Sequence, residues 1–173
     1  MARNIEIKAR VRDLELLERK VLALGCEGPK IIDQQDTFFP CRNGRLKLRT
    51  FSERSGELIF YERVDQAGPK ASFYLRTPTS DPGLLCESLR RAWGILGVVK
   101  KRRRLYLKGR TRIHLDQVAL LGDFLELEVV LESEESDAVG REEAEKLISS
   151  LGIERSDLIE GAYIDLLAAR SSA

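Results

Sequence analysis

The sequence holds one histidine, His114, and three cysteines, Cys26, Cys41 and Cys86, which are odd in number, far apart and free of Cys-x-x-Cys spacing. That scarcity argues against a zinc centre and against a disulfide framework, and leaves the thiols as inert groups in a reducing compartment. No excess of either charge is present: 29 basic residues face 28 acidic ones, for a formal charge of +1. A whole-molecule field that recruits nucleic acid or membrane is therefore absent, and any anion-binding charge has to be local. No run approaches the ~18 apolar residues of a membrane span, and the N-terminus reaches charged residues at Arg3 and Glu6 without an apolar run. A cytoplasmic protein is the expectation. Internal repeats and low-complexity segments are missing as well. With few prolines and 43% hydrophobic residues, the 173 residues suit one domain over positions 1–173 that buries about two thirds of its unfolded surface.

What the sequence does have is alternation. Residues 4–11, NIEIKARV, send Glu6, Lys8 and Arg10 to one face of a strand and Ile5, Ile7, Ala9 and Val11 to the other. Leu14, Leu17, Val21 and Leu24 then recur at helical spacing behind Asp13, a capping residue, and Gly25 marks the stop. IIDQQDTFF (31–39), RLKLRTF (45–51), ELIFYERV (57–64) and KASFYLRT (70–77) follow as strands with short joins, hence as antiparallel neighbours. Asp81-Pro82 opens a second helix that closes near Trp93-Gly94, with Trp93 expected as a packing anchor. VVKKRRRLYL (98–107), TRIHLDQV (111–118) and FLELEVVLE (124–132) complete a set of eight strands, and a third helix runs from about Asp137 to Ser150. The tail, DLIEGAYIDLLAAR, reads as one or two short helical turns. The fold class is α+β: eight antiparallel strands able to close into a barrel, with helices packed outside on the apolar faces.

Laid side by side, the strands repeat one polar face: Glu6 and Lys8, then Arg45, Lys47 and Arg49, then Arg63, then Lys101 and Arg103, then His114 and Asp116, then Glu126 and Glu128. The opposite face is nearly all apolar. A wetted outer sheet surface is the alternative reading, but such surfaces favour short neutral side chains, which are few here. Closure with the charged face inward makes a tunnel. Removing a charge from water costs several kcal/mol unless it is paired, so the tunnel is expected to be hydrated and to hold a ligand that complements its lining. Lys8, Lys47, Arg49, Arg63, Lys70, Lys101 and Arg103 outnumber Glu6, Asp116, Glu126 and Glu128, which suits a polyanion carrying a divalent metal. Arginine supplies paired donors for phosphate oxygens and lysine a compact charge, while Glu126-x-Glu128 beside Glu6 offers the carboxylates that magnesium prefers. Structural pairing competes with ligand contact for Arg45 and Lys100. His114 is expected in a structural or supporting hydrogen bond, and Arg102 and Arg104, of opposite parity, in solvent. The KKRRR run at 100–104 therefore reads as a strand and not as a nucleic-acid patch.

The segments NIEIKA, GRLKLR, YERVDQAGPK, VKKRR, RIHLD and FLELEVV, in that order, resemble the CYTH superfamily of class IV adenylyl cyclases and thiamine triphosphatases. The likeness is strongest to the class IV cyclase branch, at YERVDQAGPK and RIHLDQV. It implies a closed eight-stranded triphosphate tunnel and an enzyme dependent on Mg2+ or Mn2+. The implied partner is a small-molecule triphosphate (ATP, thiamine triphosphate or inorganic triphosphate), with no nucleic acid and no membrane, on a monomer or homodimer. Carried over by position, Glu6, Glu126 and Glu128 hold the metal, while Lys8, Arg45, Lys47, Arg49, Arg63, Lys70, Lys101 and Arg103 grip the triphosphate. Lys8, Arg63, Lys101 and Asp116 form the implied catalytic set. Cyclisation of ATP to cyclic AMP and pyrophosphate is the leading implied activity; triphosphate hydrolysis and non-catalytic polyphosphate binding are the alternatives. One departure stands out, since Asn4 occupies the first position of the Glu-x-Glu-x-Lys signature, where an amide oxygen can bind a metal without a carboxylate's charge. Tyr163 and Asp165 are expected to close one tunnel mouth.

Overall fold

The computed structural model describes residues 2–63 and 67–171, so Val64, Asp65 and Gln66 of the YERVDQAGPK segment lie outside the described residues. Eight strands are present: β1 (Ala2–Arg10), β2 (Glu27–Phe39), β3 (Arg45–Ser52), β4 (Ser55–Arg63), β5 (Lys70–Thr79), β6 (Gly97–Lys108), β7 (Thr111–Val118) and β8 (Gly122–Leu131). They close into an antiparallel barrel in the order β1-β5-β4-β3-β2-β6-β7-β8. Closure leaves every described strand with a partner on each side, and no sheet edge invites pairing with another chain. Among the described residues four α-helices accompany them: α1 (Leu14–Ala23), α2 (Pro82–Trp93), α3 (Asp137–Leu151) and α4 (Tyr163–Ser171). Asp13 and Asp81 cap α1 and α2 as expected, accepting from the amides of Leu16 and Leu84 at 2.9 Å.

Period-two patterning decides where the core lies. Outward-facing Ile7, Ile113, Leu115 and Leu127 are fully buried beneath Leu14, Leu17 and Val21 of α1 and Leu147, Ile148 and Leu151 of α3. The main apolar core thus sits between the barrel wall and its helices, and the barrel interior is left to the charged face. A second apolar cluster lies within one end of the barrel, where Phe38, Ile59, Tyr61, Val99 and Phe124 meet Ile159 and Tyr163. The chain before α4 is tied to that end through the amide of Ile159, which donates to the Lys8 carbonyl at 2.9 Å.

Three details differ from the sequence reading. Strand β2 begins at Glu27 and not at Ile31, because Glu27 still pairs with Leu107 of β6 across a register shift. A bulge accommodates Pro29 there, and a Cβ on Gly28 would lie 2.7 Å from the Leu105 carbonyl oxygen. The tail forms a nine-residue helix, α4, because Tyr163, Ile164, Leu166 and Leu167 find an apolar surface at the barrel end. Trp93 is no packing anchor: α2 buries only Pro82, and Trp93 and Leu84 are 55% and 65% exposed.

Gly140 sets how closely α3 approaches the wall. A Cβ there would lie 2.7 Å from both Ile5 Cγ1 and Leu131 Cδ2, two buried side chains of β1 and β8. Gly140→Ala is expected to lower stability by about 1–3 kcal/mol through overpacking, despite alanine's better helix propensity. Gly83→Ala, where a Cβ meets only Asp81 Oδ1 at 3.7 Å, should be neutral or stabilising. Urea melts of the two variants check the contrast.

Candidate functional site

The inward faces of all eight strands enclose a cavity of about 260 Å3. That volume is just below the ~300–1,000 Å3 range of small-molecule sites, which suits a slender ligand. Of the residues expected at the site, Glu6, Lys8, Lys47, Arg49, Arg63, Lys101, Arg103, Glu126 and Glu128 line it. Their convergence follows from register. Glu6 lies opposite Glu128, and Lys8 opposite Glu126, across the β1–β8 pair. His114 faces Glu126 across β7–β8, and Arg103 faces Asp116 across β6–β7.

Each of the expected cations in this lining lies against an acid. Arg103 makes a paired contact with Asp116 at 2.7 Å through each of Nε and Nη2, and Lys101 reaches the same carboxylate at 2.9 Å. Arg103 Nη2 also lies 3.1 Å from Glu126, and Lys8 Nζ lies 3.9 Å from that carboxylate. Arg63 donates to Glu6 at 3.3 Å. On the opposite wall Asp36 takes Lys47 at 2.8 Å and Arg49 at 2.8 and 2.9 Å. Tyr163 stands at the inner end, its hydroxyl donating to Asp116 at 3.0 Å and its ring 3.9 Å from Lys8 Nζ.

Three expected site residues stand apart from the cavity lining. Asp116 is wholly buried behind Lys101 and Arg103, so it orients those two cations without facing the cavity. Arg45 is held by Asp165 through two contacts of 2.8 Å, which draws its guanidinium toward α4. Lys70 is buried at the barrel end and donates to the Glu160 carbonyl. Both have the inward parity, but strand twist and the capping segment place them beyond the enclosed part. Of the outward arginines, Arg102 is exposed as expected, whereas Arg104 is half-buried against Glu18 of α1 at 2.6 Å.

Sequence reasoning missed Asp36 and Arg112. Aspartate is depleted in strands, so Asp36 within QQDTFF, at the parity of Gln34 and Phe38, was the available signal. Arg112 shares the parity of His114 and Asp116, lines the cavity and lies 3.2 Å from Glu128.

Burial and pairing set the charge states. Burial, opposed by Glu126 and reinforced by Arg63 and Lys101, lowers the Lys8 ammonium to about 8. Burial likewise lowers Lys47 to about 8, even with Asp36 beside it. Burial and the nearby Arg103 hold the His114 imidazole down at about 4, so it is neutral at pH 7. Burial would raise the carboxyls of Asp36, Asp116 and Glu126, but their cations overcome it and hold all three below the usual carboxylate range.

The donor set suits a divalent cation. His114, Glu126 and Glu128 each offer one ligand atom, all within 4.8 Å of one another. The buried Asn4 Oδ1, whose side chain lines the same cavity, has no hydrogen-bond partner.

A CYTH domain model matches residues 2–163, nearly the whole chain. The chain belongs to the CYTH family. A solved protein of Pyrococcus horikoshii is 28% identical to this CYTH domain with a TM-score of 0.84, and the match covers 94% of this chain and 98% of that one. A candidate adenylate cyclase from Vibrio parahaemolyticus is 17% identical at a TM-score of 0.74, over 95% and 97% of the two chains. A candidate adenylyl cyclase from Hippeastrum, described as having a dominant triphosphatase activity, is 18% identical at a TM-score of 0.62, over 98% and 96%. No curated protein matches the sequence. No helix among the described residues is long and apolar enough to cross a membrane.

Asp116 generates a stability prediction. Its folded pKa lies below the unfolded value of about 4, so its stabilisation is complete above pH ~4 and is lost as the pH falls toward the folded value. Asp116→Asn leaves Lys101 and Arg103 buried beside a neutral partner and should cost about 3–5 kcal/mol at pH 7. Denaturant melts at pH 7 and pH 3 should show the difference between variant and parent shrinking in acid.

Proposed function

We propose that this chain, acting as one domain over residues 1–173, is a divalent-metal-dependent enzyme that takes a small-molecule triphosphate into the barrel. One observation carries the reading: six cations, Lys8, Lys47, Arg49, Arg63, Lys101 and Arg103, converge with the carboxylates of Glu126 and Glu128 on one cavity inside the barrel. Phosphoryl chemistry asks mainly for positioning and charge compensation, which this lining can supply without covalent participation. Glu126 and Glu128, with Glu6 on the adjacent strand, would hold Mg2+ or Mn2+; a bound divalent ion supplies Lewis acidity at phosphate oxygens. Arg49, Arg63 and Arg103 present planar donor pairs to phosphate oxygens, and Lys8, Lys47 and Lys101 add point charges. As a polyanion enters, Lys8, Arg63 and Arg103 can turn from Glu126 and Glu6 to phosphate oxygens, so their desolvation is never left uncompensated. Asp36 and Asp116 keep the two cation pairs oriented.

The leading reaction is cyclisation of ATP: the ribose 3′-oxygen bonds to the α-phosphorus, and pyrophosphate departs with its charge taken up by Lys and Arg. The likeness of RIHLDQV and the YERVDQAGPK segment to class IV cyclases supports it. Hydrolysis, in which a water oxygen bonds to the terminal phosphorus as the bridging P–O bond breaks and the diphosphate leaves with the bridging oxygen, is the second reading. It is favoured by the compact cavity and by the triphosphatase activity attributed to the Hippeastrum relative. The same grip serves both.

Product analysis with ATP, thiamine triphosphate and inorganic triphosphate, each with Mg2+ or Mn2+, tests these readings. Cyclic AMP with pyrophosphate is the expected outcome, orthophosphate release supports hydrolysis, and tight binding without turnover of any candidate leaves a binding module. Glu128→Gln should lower turnover at least about a hundredfold while thermal stability holds, and Arg102→Ala, on the outer surface, should be nearly silent.

The lysines also set a pH dependence. Lys8 and Lys47 lose their protons in the free protein above about pH 8. Triphosphate affinity should therefore fall as the pH rises past that value. Above it, binding should draw protons from solution, because the polyanion restores both ammonium groups. Calorimetry in buffers of different ionisation enthalpy measures that uptake directly.

A further inference from the structure

We propose that His114 is itself a metal ligand, forming with Glu126 and Glu128 a mixed nitrogen–oxygen site that favours a first-row transition ion over Mg2+. This rests on the metal-and-triphosphate reading above and refines it.

The first support is placement. His114 stands opposite Glu126 across β7–β8, Glu128 follows two residues on along the same inward face, and the three ligand atoms lie within 4.8 Å of one another. A cation set among them would meet one imidazole nitrogen and two carboxylate oxygens, and the rest of its coordination shell would face the cavity.

The second support is an unmet polar atom. His114 is only 3% exposed, and its Nδ1 has no hydrogen-bond partner. The nearest acid is Glu128, whose Oε1 is 3.8 Å away, too long for a hydrogen bond. Leaving such a nitrogen unsatisfied costs about 1–3 kcal/mol. A cation between the nitrogen and the carboxylate satisfies both at the separation the structure already holds.

The third support is Asn4. An amide stands on β1 two residues before Glu6, and its buried Oδ1 is likewise without a partner. The tunnel thereby offers a neutral oxygen and a neutral nitrogen in addition to its carboxylates. Magnesium favours oxygen ligands and retains its waters, whereas first-row transition ions take imidazole beside carboxylate, iron and cobalt more strongly than manganese. The neighbouring cations set the order of loading. Lys8 and Arg103 lie against Glu126, and Arg112 against Glu128. They must turn toward phosphate before the carboxylates can turn toward a metal, so the ion and the polyanion load together.

Because His114 is the single histidine of the chain, tag-free protein permits a decisive measurement. Pulsed electron paramagnetic resonance of the Mn2+ complex, formed with inorganic triphosphate, should show imidazole nitrogen coupling that shifts when the histidine is 15N-labelled. Titrations should show His114→Gln weakening Mn2+ binding about tenfold or more, with Mg2+ affinity changing far less. Bound Mn2+ without histidine coupling, or an equal loss for the two ions in His114→Gln, overturns the proposal and leaves the metal-and-triphosphate reading standing. Failure of Mn2+ to bind at all, with or without inorganic triphosphate, overturns both.

Discussion

A charge held away from water is tolerated only beside its opposite, and this barrel is organised around that constraint. Asp116 gathers Lys101, Arg103 and the Tyr163 hydroxyl, while Asp36 gathers Lys47 and Arg49. Glu6 meets Arg63, and Glu128 meets Arg112. Every wall of the cavity therefore carries its own compensation. With most of the interior given to charge, the main apolar core has to lie outside the barrel, under α1 and α3. The inside-out arrangement and the internal pairing have one cause.

The pairs fall into two kinds. Asp36 and Asp116 are buried behind cations, and their carboxyls are held low by those partners; they act as anchors that fix where ammonium and guanidinium groups point. Glu6, Glu126 and Glu128 face the cavity itself. Their cations are shared or less closely held, at 3.1 to 3.9 Å. That division separates groups which hold geometry from groups free to exchange partners, as a site for a polyanion and a cation requires. Tyr163 ties the division to α4, since it touches both Lys8 and Asp116 and closes the barrel end over an apolar floor.

Fold and family leave the reaction open, because one tunnel can host more than one chemistry. Solved relatives of this shape include candidate cyclases, one of them described as chiefly a triphosphatase. A grip on phosphate oxygens serves both reactions; the position of the attacking oxygen separates them. The departure of this chain from the family signature, Asn4, bears on the metal more than on the phosphates.

Alternation in NIEIKARV, RLKLRTF and FLELEVVLE was enough to assign strands, to separate a charged face from an apolar one, and to place Lys8, Lys47, Arg49, Arg103, Glu126 and Glu128 on the same side, because side-chain direction in a strand depends only on parity. Aspartate caps and glycine stops likewise marked α1 and α2 from local chemistry alone. Which acid meets which cation was not available from parity: the Asp36 carboxylate finding Lys47 and Arg49, Arg45 leaving the cavity for Asp165, and Lys70 turning to the Glu160 carbonyl depend on register, twist and the docking of α4. Trp93 shows the same limit from the apolar side, since its packing depends on how far α2 stands from the wall. Local sequence determines direction along a strand, whereas partners separated by a hundred residues are chosen only when closure of the barrel fixes their distances.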